Sequence, residues 1–480
     1  MSMGIYFILA LLISALVLFF SKKGKSPLLA GVFVFVQIIF SLYAFINKDL
    51  KELQYFTFDA LSLVFLLLLS FISLATFAHS VSYLKDASKR GKSLFYLSFI
   101  AINVALTGVY TANNIIVAWI FIELTTLSAA GLINHNRNMN SLEATWKYVF
   151  ICSVGIAIAY IGILFASATA GAGYSSDMSF QSLQEIFKHT NPVFLKLAFL
   201  LILAGYSSKM EVFPLYTIGI DANYAAPAPV SAFLSTALVN GGFIAFTRIF
   251  MAMSGTSISL WMDKVLIITG ILSLLVSAIY MQKAKNLKRL FAYSTVEHLG
   301  IILISLSLGK IGIYIALFQL CLHSFIKSGL FYQSGILHQV LKSYKFHKAG
   351  GYMKINPLGG IILLTGMILI TAIPPSGIFI SEFMLFRELG NGHWIIFIIV
   401  AVLISFIMYG IFTKNSLILF GEPDVIHPKS VKTPFWEYIT QLTFFAIAIA
   451  ACFYIPDFLN NLFKTVSGIG GEIDLSIFNF

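Results

Sequence analysis

Long apolar segments alternate with short polar connections along almost the whole chain. A helix needs about 20 mostly apolar residues to cross the roughly 30 Å hydrocarbon core of a bilayer, and about fourteen segments meet that requirement. The predicted spans are residues 4–20, 27–46, 57–78, 93–111, 113–133, 147–167, 193–210, 224–250, 263–281, 290–309, 311–337, 357–385, 394–413 and 435–455. The pattern therefore predicts an all-α, polytopic membrane protein.

Composition supports this prediction and excludes several classes of protein. Of the 480 residues, 59% are hydrophobic and only 11% are charged, whereas a soluble domain is about 45–50% apolar and about 25% charged. A cytosolic enzyme and a secreted disulfide-bonded domain are therefore excluded. The net charge of +11 does not indicate a nucleic-acid partner, because the basic residues are dispersed in short connections. The lipid bilayer is the expected environment.

The distribution of lysine and arginine residues predicts the orientation. Most of them lie in the connections that follow odd-numbered spans, and cytoplasmic connections carry an excess of such residues. We therefore expect a multi-pass protein of the inner (cell) membrane with both termini outside the cytoplasm. The first span does not resemble a cleaved signal peptide, because its lysines, Lys22, Lys23 and Lys25, follow it.

No connection between the spans is long enough to form an independent soluble core. The chain also has no nucleotide-binding fingerprint, haem motif or cysteine cluster. We expect no metal, no cofactor and no catalytic residue of its own. Any redox chemistry would take place on another subunit, so whether the chain is part of an enzyme depends on its partners.

Ionisable residues at bilayer depth are the main functional candidates. Each costs about 2.5–3.5 kcal/mol at the centre of a span, so it is retained for a reason other than insertion. These residues are Glu123, Lys209, Glu297, His298, His323, Lys327 and Glu382. A carboxylate such as Glu123 needs a cationic partner or a proton. It is therefore either a proton-relay group or one half of a structural ion pair.

The spacing of the remaining candidates suggests which of them carry protons. His323 and Lys327 are four residues apart and share one helical face, which suits a proton wire. Glu297 and His298 point about 100° apart on a helix, so they cannot face one partner, and His298 is the better relay candidate. Alternatively, these residues have structural roles: Lys209 and Lys327 extend to the membrane interface, and the histidines only pack against their neighbours.

Two predicted spans contain a helix break beside an ionisable residue. Pro214 follows Lys209 in the seventh span, and Pro374 and Pro375 precede Glu382 in the twelfth. Because five spans separate the breaks, the two regions are expected to have opposite orientations, which is the signature of inverted repeats. We expect N-terminal helices in 1–92, a first five-helix repeat in 93–250, a second in 263–413, and the last helix and tail in 414–480.

Three sequence motifs resemble those of one protein family. They lie at residues 209–232, which include an Ala-Pro-Ala-Pro run, at 286–295 and at 373–383. The motifs resemble those of the antiporter-like subunits of respiratory complex I, which are shared with multisubunit cation/proton antiporters and membrane-bound hydrogenases. The resemblance implies a Glu–Lys pair between the fifth and seventh spans, matching Glu123 and Lys209. It also implies a terminal acidic group in the twelfth span.

Three positions are similar to component F of hydrogenase-4 rather than to the usual complex I pattern. Asn240 replaces the lysine of the eighth span, Glu297-His298 replaces Ser-His, and the eleventh-span motif begins at His323. A neutral amide can bridge water but cannot hold a proton, so the relay is either weakened or rerouted through His298. Asn240, Glu297 and Asp221 are secondary candidates for relay or pairing.

The resemblance implies a membrane subunit that translocates protons or sodium ions and has no redox centre of its own. Glu123 would tune Lys209 electrostatically, and the proton would pass by water and His323/Lys327 to Glu382. The implied partners are other integral membrane subunits and a peripheral redox module, most of all a group 4 NiFe hydrogenase of the formate hydrogenlyase type. Three alternatives stay open: a multisubunit cation/proton antiporter, an energy-coupled bicarbonate or carbon dioxide uptake system, and a membrane anchor whose channel has decayed.

Overall fold

A computed structural model describes residues 1–168, 178–422 and 433–469. Within them the chain is almost entirely helical, with one short antiparallel hairpin of β1 (Lys51–Glu52) and β2 (Phe56–Thr57). The helices are α1 Met3–Phe19, α2 Ser26–Ile46, α3 Ala60–Tyr83, α4 Lys89–Thr111, α5 Ile115–Ile133, α6 Met139–Ala168, α7 Phe180–His189, α8 Pro192–Met210, α9 Thr217–Ala225, α10 Ala228–Phe233, α11 Val239–Met253, α12 Ser259–Lys283, α13 Leu287–Leu306, α14 Gly309–Leu341, α15 Tyr352–Ile355, α16 Pro357–Ile370, α17 Gly377–Gly390, α18 Trp394–Phe420, α19 Trp436–Phe453 and α20 Asp457–Ser467. The predicted all-α fold is confirmed. The predicted segment 414–480 lies partly outside the described residues.

The prediction of a polytopic membrane protein is also confirmed. Within the described residues, 12 helices are long and apolar enough to cross a membrane. The first and twelfth predicted spans correspond to shorter apolar helices, α1 with 17 residues and α16 with 14. Large apolar side chains such as Leu11, Phe19, Ile46 and Phe150 are exposed on the helix surfaces, as a lipid environment allows.

Polar side chains at the helix N-termini determine where the helices begin. The first N–H groups of a helix have no partner within it, and a preceding Ser, Asp or Asn side chain accepts hydrogen bonds from them. Asp59 accepts from the N–H of Ser62 at 2.8 Å, and Asn114 accepts from the N–H of Ile116 at 2.9 Å. Equivalent caps are Ser88 before α4, Asn191 before α8, Asn286 before α13, Asn356 before α16 and Ser376 before α17.

The first of two compact units comprises Met1–Val230 and Ala237–Val265. Within it, α4 packs along α5 and α6 packs along α8. The α6–α8 contact depends on small residues, since a Cβ atom at Gly205 would overlap the carbonyl oxygen of Gly155. This close packing fixes the three helices α5, α6 and α8, which carry the first group of candidate residues.

The second compact unit comprises Ser231–Thr236 and Leu266–Phe480. Its central element is α14, a helix of 33 residues that packs against α13, α16, α17, α19 and α20. Gln319, His323 and Lys327 follow one another at four-residue intervals on α14, so they share one face. All three are fully buried, and this face is therefore turned toward protein rather than lipid.

Both predicted helix breaks are present. Residues 211–216, which include Pro214, separate α8 from α9. Residues 371–376, which include Pro374 and Pro375, separate α16 from α17. A proline cannot donate a backbone hydrogen bond and clashes with the preceding turn, so a helix ends before it. The boundaries of the four predicted sequence segments stay a prediction.

A largely buried ion pair, which the sequence did not reveal, joins α11 to the start of α3. Arg248 donates from Nη1 to Oδ2 of Asp59 at 2.6 Å and from Nη2 to Oδ1 at 2.9 Å. Nη2 also donates to Oγ of Ser62 at 2.9 Å and to the carbonyl oxygen of Tyr110 at 3.1 Å. Burial alone would raise the pKa of Asp59, but the Arg248 guanidinium and the hydrogen bonds from Ser62 hold it below its ordinary value.

Replacing Arg248 by methionine is expected to lower the free energy of unfolding by about 2–3 kcal/mol. Removing one partner of a fully buried pair costs about 3–5 kcal/mol, and the partial exposure of the Asp59 carboxylate reduces that cost. The thermal midpoint of the purified chain, followed by tryptophan fluorescence, measures the effect. Arg90→Met, which removes an exposed arginine, is the matched control. Equal midpoints for the two variants would contradict the prediction.

The same ion pair predicts a pH dependence. Because the pKa of Asp59 is lowered in the folded chain, its contribution to stability is complete above the pH at which the carboxyl titrates in the unfolded chain. That contribution is lost as the pH falls through the folded pKa. The difference in midpoint between the wild-type chain and the Arg248→Met variant should therefore shrink in acid.

Candidate functional site

Lys209 lies in the last turn of α8 and is only 2% exposed. Its Nζ atom donates to Oγ1 of Thr126 at 2.7 Å and to Oγ1 of Thr125 at 3.2 Å. The same atom lies 3.5 Å from the hydroxyl oxygen of Tyr148 and 5.3 Å from the centroid of its ring, where the negative ring face attracts a cation. This position argues against a lysine that simply extends to the membrane interface.

Glu123 and Lys209 are linked through a threonine hydroxyl. Thr126 accepts from Lys209 and donates to Oε2 of Glu123 at 3.5 Å, while Ser153 on α6 donates to Oε1 of Glu123 at 2.5 Å. A hydroxyl group can donate and accept at the same time. The two charges implied by the family resemblance are therefore neighbours, with the Thr126 hydroxyl between them.

The helix break after α8 is organised by Glu211. This residue has a positive φ of 53°, caps α8 and accepts from Nδ2 of Asn223 at 3.2 and 3.4 Å. Gly219 permits the arrangement, because a Cβ atom there would overlap the Glu211 side chain. Asp221 belongs to a different, partly exposed group, in which its Oδ2 atom lies 3.7 Å from Nζ of Lys147.

Asn240 lies in the first turn of α11 and is 1% exposed. The residues immediately before α11, Leu234–Leu238, form a π-helical turn, a rare geometry that often occurs at functional sites. The carbonyl oxygen of Ala237, within this turn, accepts a hydrogen bond from the hydroxyl of Tyr110 at 2.7 Å. Asn240 is thus buried beside an irregular helix, and its role in a relay stays a prediction.

A second group of candidates meets where α13, α14 and α17 pack together. Nδ1 of His298 lies 3.9 Å from Oε1 of Glu382, and the ring centroids of His298 and His323 are 5.3 Å apart. The Nε2 atom of Gln319 lies 3.4 Å from Nδ1 of His298 and donates to Oε1 of Glu382 at 3.5 Å. Four polar side chains therefore converge inside the protein.

Several polar atoms of this second group have no hydrogen-bond partner within the described part of the chain. They are Nε2 of His298, both ring nitrogens of His323 and Oε1 of Gln319, and Oε2 of Glu297, the residue before His298, also has none. Lys327, one turn beyond His323, donates from Nζ to the carbonyl oxygen of Phe291 at 2.5 Å. Buried polar atoms are almost always hydrogen-bonded in purely structural settings. Their number here favours a functional polar pocket over packing histidines.

The family described as NADH:quinone oxidoreductase/Mrp antiporter, transmembrane, matches residues 112–408. This match covers more than half of the chain and includes both groups of candidate residues. The chain belongs to this family. The resemblance drawn from the sequence motifs is therefore confirmed.

Individual relatives of this antiporter-family chain include hydrogenase components. A hydrogenase-4 component F homolog of Methylacidiphilum infernorum (isolate V4) is 29% identical over 451 residues, which are 91% of this chain and 93% of that protein. Hydrogenase-4 component B of Escherichia coli (strain K12) is 28% identical over 347 residues, or 69% of this chain and 50% of that protein. A chain of the membrane-bound sulfane sulfur reductase, an archaeal respiratory membrane complex, has a TM-score of 0.85 and 20% identity, with 97% of both chains covered. This last similarity shows the fold.

The structure adds contact residues that the family motifs did not point to. Thr126 lies three residues after Glu123, and Gln319 lies four residues before His323. Because side chains at these spacings are neighbours on a helix, both could have been found from the sequence. Ser153 carries no comparable signal, since it lies on α6 and reaches Glu123 only through helix packing.

Proposed function

We propose that this antiporter-family chain moves protons, or sodium ions, across the inner (cell) membrane as a subunit of a redox-driven complex. The observation that carries the proposal is the series of contacts from the buried Lys209 through Thr126 to the partly buried Glu123. Buried ionic groups add little to stability, and apolar replacements of similar volume are often as stable. Their presence at bilayer depth is therefore best explained by function.

Glu123 acts in this proposal by tuning the proton affinity of Lys209. At an effective dielectric constant of about 20, two unit charges interact by about 4 kcal/mol at 4 Å and by about 2 kcal/mol at twice that distance. A change of that size alters a proton affinity about thirtyfold. A change of about 4 Å in the separation of the two charges can thus load or unload the lysine, and the hydroxyl of Thr126 provides a path for the proton.

In this proposal the second group of candidates forms a second half-channel. His298, His323 and Lys327 supply groups that hold or pass protons, and Glu382 is the terminal acid that delivers the proton to one side. Water suits this pocket because a buried water molecule requires two to four polar partners, and the imidazole nitrogens offer them. Gln319 positions Glu382 against His298.

Energy for transport comes from other subunits in this proposal, because the chain has no expected redox centre. The subunit that supplies the energy must interact differently with the close and the separated arrangements of Glu123 and Lys209. Only then can it shift their populations. We place other integral membrane subunits beside the chain and a peripheral redox module on the cytoplasmic side. Both termini lie outside the cytoplasm in this orientation.

A group 4 NiFe hydrogenase is the redox module that we favour. The relative named hydrogenase-4 component F homolog aligns over nearly the full length of both proteins, which supports this choice. The second candidate is a multisubunit cation/proton antiporter without any redox module. It is supported by the family description, which includes Mrp antiporters.

Affinity purification of the tagged chain from native membranes, followed by mass spectrometry, tests the proposal. We expect the large and small subunits of a NiFe hydrogenase to co-purify, with an untagged strain as the control. Recovery of only small hydrophobic antiporter subunits would replace the redox-driven proposal with secondary ion exchange. A soluble zinc-bearing partner would instead indicate bicarbonate or carbon dioxide uptake.

A further inference from the structure

A basic cavity of about 440 Å³ lies in the second unit, where the ends of α12 and α18 meet the connection that follows α14. Lys285, Lys345, His347, Lys414 and Glu422 line it. In the part of the chain that the structure describes, none of the three lysine ammonium groups makes a hydrogen bond or ion pair. The three lysine ammonium groups are therefore available to a ligand in the cavity.

The backbone holds two of these lysines in fixed relation to each other. Asn286 and Lys345 form an antiparallel bridge, and the N–H of Phe346 donates to the carbonyl oxygen of Lys285 at 3.3 Å. The N–H groups of residues 348 and 349 both donate to the carbonyl oxygen of Lys345, which closes a turn. The convergence of the lysines thus results from the fold rather than from chance side-chain positions.

Charge indicates an anionic ligand. Three lysines and one glutamate leave the cavity with a net positive charge at neutral pH. Like charges brought together repel one another, and a bound anion removes that repulsion. Lysine ammonium groups are well suited to phosphate, which they contact as point charges.

The apolar side of the cavity indicates that the phosphate belongs to a lipid. Leu417 lines the cavity and is 48% exposed, and Phe420, one turn further along α18, is 61% exposed. A headgroup on the lysines would place acyl chains along this apolar surface. Basic pockets between transmembrane helices are known sites for anionic lipid headgroups on the cytoplasmic side. Lys285 and Lys345 lie in connections that the charge distribution assigns to that side, and Lys414 lies near the same end of α18.

We infer that this cavity binds the phosphodiester headgroup of an anionic phospholipid. The inference is independent of the proposed transport function, because it uses none of the buried relay residues. A lipid held here would contact α12, α18 and the connection after α14 at once. It would therefore stabilise the cytoplasmic end of the second unit.

Lipid titration of the full-length chain in detergent tests the inference. The thermal midpoint is measured with phosphatidylglycerol, phosphatidylcholine or inorganic phosphate, and native mass spectrometry counts the phospholipids retained. We expect phosphatidylglycerol to raise the thermal midpoint and the other two additions to leave it unchanged. The combined variant K285Q/K345Q/K414Q should bind it on the order of 100-fold more weakly, since each lysine near an anionic lipid contributes about fivefold.

A matched variant, K22Q/K23Q/K25Q, removes three lysines from the first connection and should retain wild-type lipid binding. If the combined cavity variant does not fold, Lys414→Gln alone should show about a fivefold loss. Unchanged phosphatidylglycerol binding in the cavity variants would overturn the inference. Equal stabilisation by inorganic phosphate would overturn the assignment to lipid. If the cavity variants lost a partner subunit in the affinity purification while the chain retained its lipid, the cavity would instead be assigned to an acidic protein surface.

Discussion

Replacing Lys209 by alanine is expected to reduce the number of ions moved per electron transferred by roughly 100-fold or more, the scale of a positioned proton-transfer group. The lysine is the cationic end of the contacts that pass through Thr126 to Glu123. Alanine can neither hold a proton nor donate to the threonine hydroxyl. Ion movement is followed with a pH-sensitive dye in proteoliposomes that contain the intact complex, and electron transfer is recorded in the same sample.

The same helix offers a matched control for this prediction. Lys196 on α8 lies with its Nζ atom 5.5 Å from the ring centroid of Trp261, and Lys196→Ala should retain transport. Thr126→Val removes the bridging hydroxyl at nearly constant volume and should fall between the two lysine variants, whereas Thr126→Ser should remain near the wild type. Unchanged transport by an assembled Lys209→Ala complex would contradict the proposed role of the lysine.

Most spans could be predicted from the sequence because lipid makes hydropathy a direct constraint on structure. The predicted spans 27–46 and 193–210 differ by one residue or less at each end from Ser26–Ile46 and Pro192–Met210. Hydropathy alone does not show where an apolar segment is interrupted, but the prolines do. The predicted span 357–385 is two helices, α16 and α17, separated at the break that Pro374 and Pro375 predicted.

The eighth span shows the same limit in more detail. Its predicted start at residue 224 falls inside α9, because the apolar residues of α9 run on into those of the next helix. The structure instead begins α10 at Ala228, immediately after Pro227. The π-helical turn Leu234–Leu238 has no sequence signal of its own, since its residues are ordinary helix formers.

The candidate site was predictable as a set of residues but not as a set of contacts. An ionisable residue in an apolar segment is conspicuous, so Glu123, Lys209 and Glu382 could be selected from the sequence. Which side chains they meet depends on the rotation and packing of several helices, which hydropathy does not determine. For that reason the contact of Thr126 with Lys209 and the position of Asp221 beside Lys147 emerged only from the structure.

Replacing Glu382 by glutamine is expected to reduce ion movement per electron by at least about tenfold, because a neutral amide keeps the shape of the carboxyl group but cannot hold a proton. Glutamine can still accept a hydrogen bond from Gln319, so the local packing is largely preserved. The measurement is the proteoliposome assay used for Lys209, combined with the thermal midpoint of the purified complex. We expect transport to fall while the midpoint changes little.

Two further variants separate proton release from a structural role. Glu388→Gln removes a carboxylate from the same helix, α17, outside the group formed with His298, and should transport normally. Glu382→Asp keeps an ionisable group and should recover part of the activity that Glu382→Gln loses. If the aspartate variant were as inactive as the glutamine variant while both complexes remained stable, side-chain length rather than proton exchange would be decisive. Because His298 lies only 3.9 Å from the Glu382 carboxylate, recovery by aspartate would tie transport to the proton held at this end of the relay.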